Sequence, residues 1–400
     1  MGDVYPTSFF RRQGACAARS PRWSAETGRR RREFIKQVKI SGRQLAALLY
    51  VVVLATAVLF VPAITAQKAY QSAWLATLVL PTIIASVVLL AVWKLGMYFP
   101  DKTLAEYSEV ILGKLLGKAV AGSYALFFLV MNILVVREFA EFLTVNFMPE
   151  TPIWAFCSLL VLVAGYAAYK GVEVIARMAQ FILPLFLLTL LIVVLFTIPD
   201  MQLGRLQPLL EGGVLPIIQG SFVPASWYGE IVVLVMLLPS INKPQEVGKK
   251  VLIALLAMTI TFTAVTFTAL AVFGPYLTGD LLFPVLELAS YVNIARFIQR
   301  LTILIMTFWV SGIVVKSSLT FYVICLTSAQ VSGIKNYKYV LVPSALCHIL
   351  GSAFLFANTL QLMEFLDKYW TPMALVFELV LPLLLWPVAA IRLRKRRTSK

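Results

Sequence analysis

The sequence has few charged residues and almost no histidine. Only 14% of its 400 residues are Asp, Glu, Lys or Arg, whereas an ordinary soluble protein carries about 25%. His348 is the single histidine, which excludes the HExxH motif and any site built from several histidines, and no GxxxxGK[ST] phosphate loop is present. We therefore predict that the protein is not an enzyme and holds neither a metal ion nor a cofactor.

Cysteine is also scarce, and the cysteines are isolated from one another. The four are Cys16, Cys157, Cys325 and Cys347, and no two form a CxxC pair. Three of them lie inside apolar segments. This pattern predicts neither a disulfide framework nor a zinc site.

Apolar residues are correspondingly abundant, and positive charge is concentrated at the two ends of the chain. The apolar share is 60%, against about 45–50% in soluble proteins. The formal charge is +16, and residues 1–40 hold ten Lys and Arg against three acids, while 392–400 hold six and no acid. We predict a disordered basic cytoplasmic arm at 1–39 and a basic cytoplasmic tail at 392–400. We expect the arm to touch anionic lipid rather than nucleic acid.

Ten apolar stretches are long enough to cross a bilayer as helices, which need about 20 apolar residues each. They predict an all-α polytopic membrane protein with a transmembrane domain at 40–391. Lys and Arg are more numerous in the loops after the even spans, eleven against five, so both termini are predicted to be cytoplasmic. The stretches are 43–66, 73–98, 119–147, 153–169, 178–198, 215–238, 251–273, 298–328, 339–357 and 370–391.

Several charged residues fall inside these apolar stretches, where charge is costly and is usually functional or paired. Arg137 and Glu141 in span 3 are four residues apart, so they share a helix face and predict a structural ion pair. The others are Glu138 in span 3, Glu230 in span 6, Lys316 in span 8 and Glu378 in span 10.

Spans 1 and 6 each carry a candidate interruption of the helix. Span 6 has Pro224 and Gly229 just before Glu230, and proline removes a backbone donor while glycine relaxes the chain. A simple proline kink is the alternative. Span 1 has small residues at 55–57, followed by Pro62. Broken helices at corresponding places in two oppositely directed halves are typical of inverted-repeat transporters, and the repeats would cover about 40–198 and 210–357, with helix 10 added.

Several motifs, in their order and spacing, resemble those of one family. The chain is similar to the B subunits of spore germinant receptors, the GerAB family of the amino acid–polyamine–organocation superfamily, from about residue 40 to 391. The motifs are ISGRQ at 40–44, FPDKTLAEYS at 99–108, ILGK at 111–114, REFAEF at 137–142, PETP at 149–152, KGVEVIAR at 170–177, LQPLLEGG at 206–213, YGE at 228–230, LLP at 237–239, VFGP at 272–275 and FPVLELA at 283–289.

The resemblance implies a LeuT-like 5+5 fold with broken helices 1 and 6, and a role in sensing a small nutrient, such as an amino acid. It also implies the inner spore membrane as the location, with an A subunit and a lipoprotein C subunit as partners. Members often have glycine in the span 1 break, where this chain has alanine. The implied ligand site comprises Ala55, Thr56, Ala57, Phe127, Met131, Ser226, Trp227, Tyr228, Gly229 and Glu230.

The LeuT-like fold also gives Lys316 a possible role, because a cation commonly sits between the span 1 break and span 8 in such folds. The ammonium group of Lys316 would stand in for that cation, or the side chain would snorkel to the membrane edge. Two other functions stay open. One is an ion-coupled secondary amino acid transporter with Glu230 as proton carrier, and the other is a scaffold subunit without a ligand.

Overall fold

The computed structural model describes residues 39–291 and 299–398. The predicted basic arm lies outside these residues except for Lys39, and so does the end of the predicted tail, 399–400. Within the described ranges the chain is helical and contains no strand, and its one β-bridge joins Ile40 to Ile241. The all-α prediction is therefore confirmed for this part of the chain.

The helices follow the predicted spans closely. The α-helices are α1 (Gly42–Ala69), α2 (Ala73–Leu78), α3 (Leu80–Tyr98), α4 (Leu104–Leu112), α5 (Lys114–Asn146), α6 (Ile153–Lys170), α7 (Val172–Thr197), α8 (Leu215–Tyr228), α9 (Leu234–Leu237), α10 (Val247–Phe273), α11 (Pro275–Asp280), α12 (Pro284–Tyr291), α13 (Gln299–Ser332), α14 (Leu341–Phe354), α15 (Thr359–Phe365), α16 (Thr371–Leu375) and α17 (Leu381–Thr398). Short 3-10 helices lie at Tyr70–Ser72, Ile198–Asp200, Leu203–Leu206, Gly229–Val233, Leu238–Ser240, Pro244–Glu246 and Tyr337–Val340, and π-helical segments at Leu366–Trp370 and Val376–Val380.

Eight helical stretches in the described residues are long and apolar enough to cross a membrane. The first, Gly42–Tyr98, contains both predicted spans 1 and 2. The counterpart of predicted span 9 is α14, which has only 14 residues. The count of ten spans therefore stays a prediction.

The spans with candidate interruptions lie at the centre of the bundle. Each stretch has a most apolar window of 18 residues. The protein buries 89% of that window in Gly42–Tyr98 and 94% in Leu215–Ser240, but only 28% in Thr359–Leu393. Helix α1 packs against α7, α8, α10 and α13. Groups in the middle of α1 and span 6 are therefore surrounded by protein and do not face lipid.

A capping box fixes the start of α1. The Ser41 side chain accepts a hydrogen bond from the backbone N–H of Gln44 (3.2 Å), and the Gln44 side chain accepts one from the N–H of Ser41 (2.8 Å). Two backbone donors that a helix start leaves unpaired are thereby satisfied. Backbone bonds from Ile40 to Ser240 and from Asn242 to Ile40 then attach this start to the end of span 6.

The predicted break in span 1 is wrong. Helix α1 runs without interruption through residues 55–57, and both Ala55 and Ala57 are fully buried. Alanine is the best helix former. Ala55 also packs closely on α13, because a Cβ added to Gly312 of that helix would lie 3.3 Å from the Cβ of Ala55. Small residues at 55–57 thus serve close helix packing rather than unwinding. Pro62 is accommodated inside the helix.

The predicted interruption of span 6 is present as a change of winding. Helix α8 ends at Tyr228, and Gly229–Val233 continues as a 3-10 helix. Pro224 lies inside α8, so regular winding survives the proline and ends at the glycine. A 3-10 segment inside a long helix often marks a functional hinge. It also rotates the side chain of Glu230 relative to an unbroken α-helix.

Gly117 allows α4 and α5 to approach each other. A Cβ at Gly117 would lie 2.4 Å from Cα and 2.5 Å from N of Glu109. Because backbone atoms cannot move aside, we expect Gly117→Ala to lower the free energy of unfolding by about 1–3 kcal/mol. Chemical denaturation of the purified protein would measure this loss.

Gly122→Ala is the matched control for that prediction. Gly122 lies in the same helix, and a Cβ there would meet nothing within 4 Å. This variant should gain about 0.5–1 kcal/mol, since alanine loses less conformational freedom than glycine in a helix. Equal stability of the two variants would contradict the close approach.

Candidate functional site

A buried ion pair lies at the centre of the bundle. Lys316, near the middle of α13, directs its Nζ to both carboxylate oxygens of Glu230 at 2.7 Å and to Oγ1 of Thr56 at 2.5 Å. Relative exposure is 0% for Lys316 and Thr56 and 1% for Glu230. An ammonium group has three donors, so all three are used here. Lys316 therefore does not snorkel toward the membrane edge.

Each group of this site comes from a different span. Thr56 is near the middle of the continuous α1, and Glu230 is the second residue of the 3-10 segment in span 6. The ammonium group thus joins spans 1, 6 and 8 at one point. Glu138 of α5, 2% exposed, is close enough to interact electrostatically with Lys316 and Glu230.

An aromatic cluster lies on the span 3 side. The ring of Phe127 stacks between Trp370 and Phe377 of the last span, with ring centroids 5.4 Å and 4.7 Å away. Met131, one helical turn further along α5, is 1% exposed. Phe127 and Met131 are thus both buried, and Phe127 ties span 3 to the last span.

The other residues that the resemblance assigns to the ligand site, in spans 1 and 6, contact neither the ion pair of Lys316 nor the ring of Phe127 in the interactions described below. Trp227 stacks on Phe60 of α1, with centroids 6.4 Å apart. The Ser226 hydroxyl donates to the carbonyl of Val223, and the Tyr228 hydroxyl donates to the carbonyl of Thr77. Tyr228 therefore points toward span 2. The continuous helix through 55–57 also offers no free backbone N–H groups to an anion.

Arg137 and Glu141 form an ion pair within span 3. The atoms Nη2 and Oε1 are 2.7 Å apart, and both side chains are buried. Arg137 also donates to the carbonyls of Ser352 and Ala353 at the end of α14, and Thr359 donates to Glu141. This pair therefore fastens span 3 to the connection between α14 and α15.

Sequence reasoning found no role for Glu378 and did not find its neighbours. The carboxyl group of Glu378 is fully buried and lies against Gly229, where an added Cβ would come within 2.1 Å of Oε2. An acidic residue in an apolar span was the only signal available. Its contact with Gly229, which is 149 positions away in sequence, is set by the tertiary fold.

A cavity of about 330 Å³ opens at the end of the bundle where α1 ends. Its lining combines apolar residues with both signs of charge and includes Phe60, Gln67, Lys68, Val223, Asp280 and Asp367. Lys68 and Asp367 form an ion pair at 2.5 Å across it. Phe60, which lines the cavity, also stacks on Trp227.

The arrangement of helices is shared with solved transporters. The chain is similar to Mhp1, a nucleobase-cation-symport-1 family transporter, with a TM-score of 0.62, 14% identity, and coverage of 85% of this chain and 78% of that one. It is also similar to MhsT in complex with L-phenylalanine, with a TM-score of 0.61, 14% identity, and coverage of 89% and 90%. The protein is therefore a multi-pass membrane protein with the LeuT-like transporter fold.

Sequence comparison gives the particular family. A family model described as spore germination protein matches residues 39–360. Spore germination protein KB of Bacillus subtilis (strain 168) is 28% identical over 92% of this chain and 98% of its own length. Spore germination protein XB of Bacillus anthracis is 25% identical over 50% and 56%. The chain belongs to the spore germination protein family, as its motifs indicated.

Proposed function

We propose that this protein senses a nutrient germinant as the B subunit of a spore germination receptor. The family match over residues 39–360 carries this proposal. A transporter fold with a buried, charged centre supports it, because such a fold provides a mid-membrane site for a small polar molecule. The proposed location is the inner spore membrane with both termini in the cytoplasm, and the proposed partners are an A subunit and a lipoprotein C subunit.

The germinant we propose is an amino acid bound at the Lys316–Glu230 pair. A zwitterion inserted there would accept from Lys316 through its carboxylate and donate to Glu230 through its ammonium group. Both buried charges would stay paired, which avoids the cost of an uncompensated charge in the interior. The continuous helix α1 offers no free backbone N–H groups, so Lys316 would bind the carboxylate instead. Phe127 and Met131 would enclose the side chain of the ligand.

The cavity at the Ala69 end supplies a route to this site. Pockets that hold small molecules commonly measure about 300–1,000 Å³, and this one measures about 330 Å³. We propose that the stacked rings of Phe60, which lines the cavity, and Trp227 form its inner gate. Entry of the germinant would therefore require these two rings to separate, which moves α1 relative to span 6.

Binding energy limits what a single subunit can do. A ligand with millimolar affinity supplies about 4 kcal/mol in total, whereas moving a population from 1:99 to 99:1 takes about 5.5 kcal/mol of differential affinity. One such site cannot switch a strongly biased receptor alone. We therefore propose that several subunits act together, or that the resting equilibrium is close to balance.

Met131→Trp tests the site in spores. The larger ring would fill the space that the ligand side chain needs, so the concentration of amino acid for half-maximal germination should rise at least about tenfold, a change of about 1.4 kcal/mol. Germination would be followed in spores whose receptor carries this subunit, with a panel of single amino acids, sugars and nucleosides.

Leu126→Trp is the control in the same helix, because Leu126 is 62% exposed on the outer surface. It should leave the response unchanged. A normal response from Met131→Trp spores with normal protein levels would refute the pocket, and would favour a scaffold subunit without a ligand. A response to sugars or nucleosides alone would refute the amino acid.

A second candidate function is ion-coupled transport of amino acids. The similarity to MhsT, solved in complex with L-phenylalanine, is the observation that favours it. Uptake of labelled amino acids into proteoliposomes separates the two, since a sensor would bind without accumulating ligand. In the transporter, Glu230 would carry the coupling proton and Lys316 would hold the place of a cation.

A further inference from the structure

Glu378 is a buried acid to which none of the described residues donates a hydrogen bond. It is fully buried, and neither oxygen of its carboxyl group has a hydrogen-bond partner within the described residues. It lies in the π-helical segment Val376–Val380 of the last span. Buried carboxylates are normally paired or hydrogen-bonded, because an isolated buried charge is very costly.

The charged and titratable groups around Glu378 cannot compensate a negative charge. Lys316 interacts with it electrostatically, but its three donors are already used by Glu230 and Thr56. Glu230, also within electrostatic range, carries the same sign of charge. The Tyr124 hydroxyl donates to the carbonyl of Phe377. An ionised Glu378 would therefore add an unpaired negative charge beside an already neutralised pair.

On the side of span 6, the carboxyl group of Glu378 leaves no room for a ligand atom. A single carbon atom added to Gly229 would lie 2.1 Å from Oε2 and 2.9 Å from the carboxyl carbon of Glu378. A metal ion or water molecule on that side would overlap the backbone of span 6. On that side a proton can neutralise the carboxyl group, because it needs no volume of its own.

We propose that Glu378 is a proton-binding site at the contact between spans 6 and 10. The neutral acid packs on Gly229, where the α-helix of span 6 changes to 3-10 winding. Loss of the proton would create a charge whose nearest cation is Lys316, so Glu378 would compete with Glu230 for the ammonium group. π-Helical segments are frequent at functional sites, and a shift of this one would let Glu378 turn toward Lys316.

Infrared spectroscopy of the full-length protein in lipid nanodiscs tests the site with the proton as the probe. A protonated carboxyl group has a carbonyl-stretch band that a carboxylate lacks. At neutral pH we expect this band in the wild type and its partial or complete loss in Glu378→Gln. Glu364→Gln is the control, because Glu364 lies in the same span but is exposed and paired with Lys368, and it should leave the band intact. A full band in Glu378→Gln would overturn the proposal.

Gly229→Ala provides a second measurement that keeps the carboxyl group. The added methyl group must displace the acid from its contact, so the frequency of the band should shift. An unshifted band, in a variant that remains folded by its tryptophan fluorescence, would also overturn the proposal. Neither measurement contains a germinant, so its outcome is independent of the proposed sensing function.

Discussion

Lys316→Met is expected to lower the free energy of unfolding by about 3–5 kcal/mol, because it leaves the buried carboxylate of Glu230 without its partner. Glu230 is 1% exposed, and both of its oxygens accept from Lys316. Denaturation of the purified protein, with the wild type alongside, would measure the loss.

The double variant Lys316→Met with Glu230→Gln distinguishes charge from packing. Removing both charges should recover most of the stability, since replacing a buried ion pair by neutral groups is often nearly neutral. Lys250→Met is the control at the surface, where Lys250 pairs with the partly exposed Glu246, and it should have little effect. A Lys316→Met protein as stable as the wild type would show that the two side chains do not meet.

Phe127→Ala is expected to have an effect of similar size, a loss of about 3–5 kcal/mol in the free energy of unfolding. The ring is 1% exposed and is stacked between Trp370 and Phe377. Its removal leaves a cavity that neither α5 nor the last span can fill without moving. The same variant should weaken the germination response, because the wall of the proposed ligand pocket is lost.

Leu126→Ala is the matched control, since Leu126 is the preceding residue of α5 and is 62% exposed. It should change stability much less than Phe127→Ala. Thermal unfolding of both variants in detergent, followed by tryptophan fluorescence, would compare them. Similar losses from the two alanine variants would mean that Phe127 does not hold span 3 against the last span.

The local features of the fold could be predicted from the sequence because they depend on neighbouring residues. Apolar stretches gave the helices, and the change of winding falls at Gly229 beside Glu230, where glycine was expected to act. Arg137 and Glu141 meet because residues four apart share a helix face. The prediction failed at residues 55–57, where small side chains were interpreted as a break although they allow α13 to pack closely.

Only part of the candidate site could be predicted from the sequence. The sequence marked Glu230, Lys316 and Glu378 as costly charges, but it did not show which of them meet. Lys316 is 86 positions from Glu230 and 260 from Thr56. The contact between Glu378 and Gly229 joins residues 149 positions apart in the chain.

The sequence by itself determined that the chain is a helical membrane protein of the spore germination family. In lipid every backbone polar group must be satisfied within the protein, so long apolar runs leave helices as the available structure. The tertiary structure alone decided that span 1 stays continuous, that Lys316 pairs with Glu230, and that Glu378 meets no hydrogen-bond donor among residues 39–291 and 299–398. These outcomes depend on which helix faces meet, and that is decided by packing between distant spans.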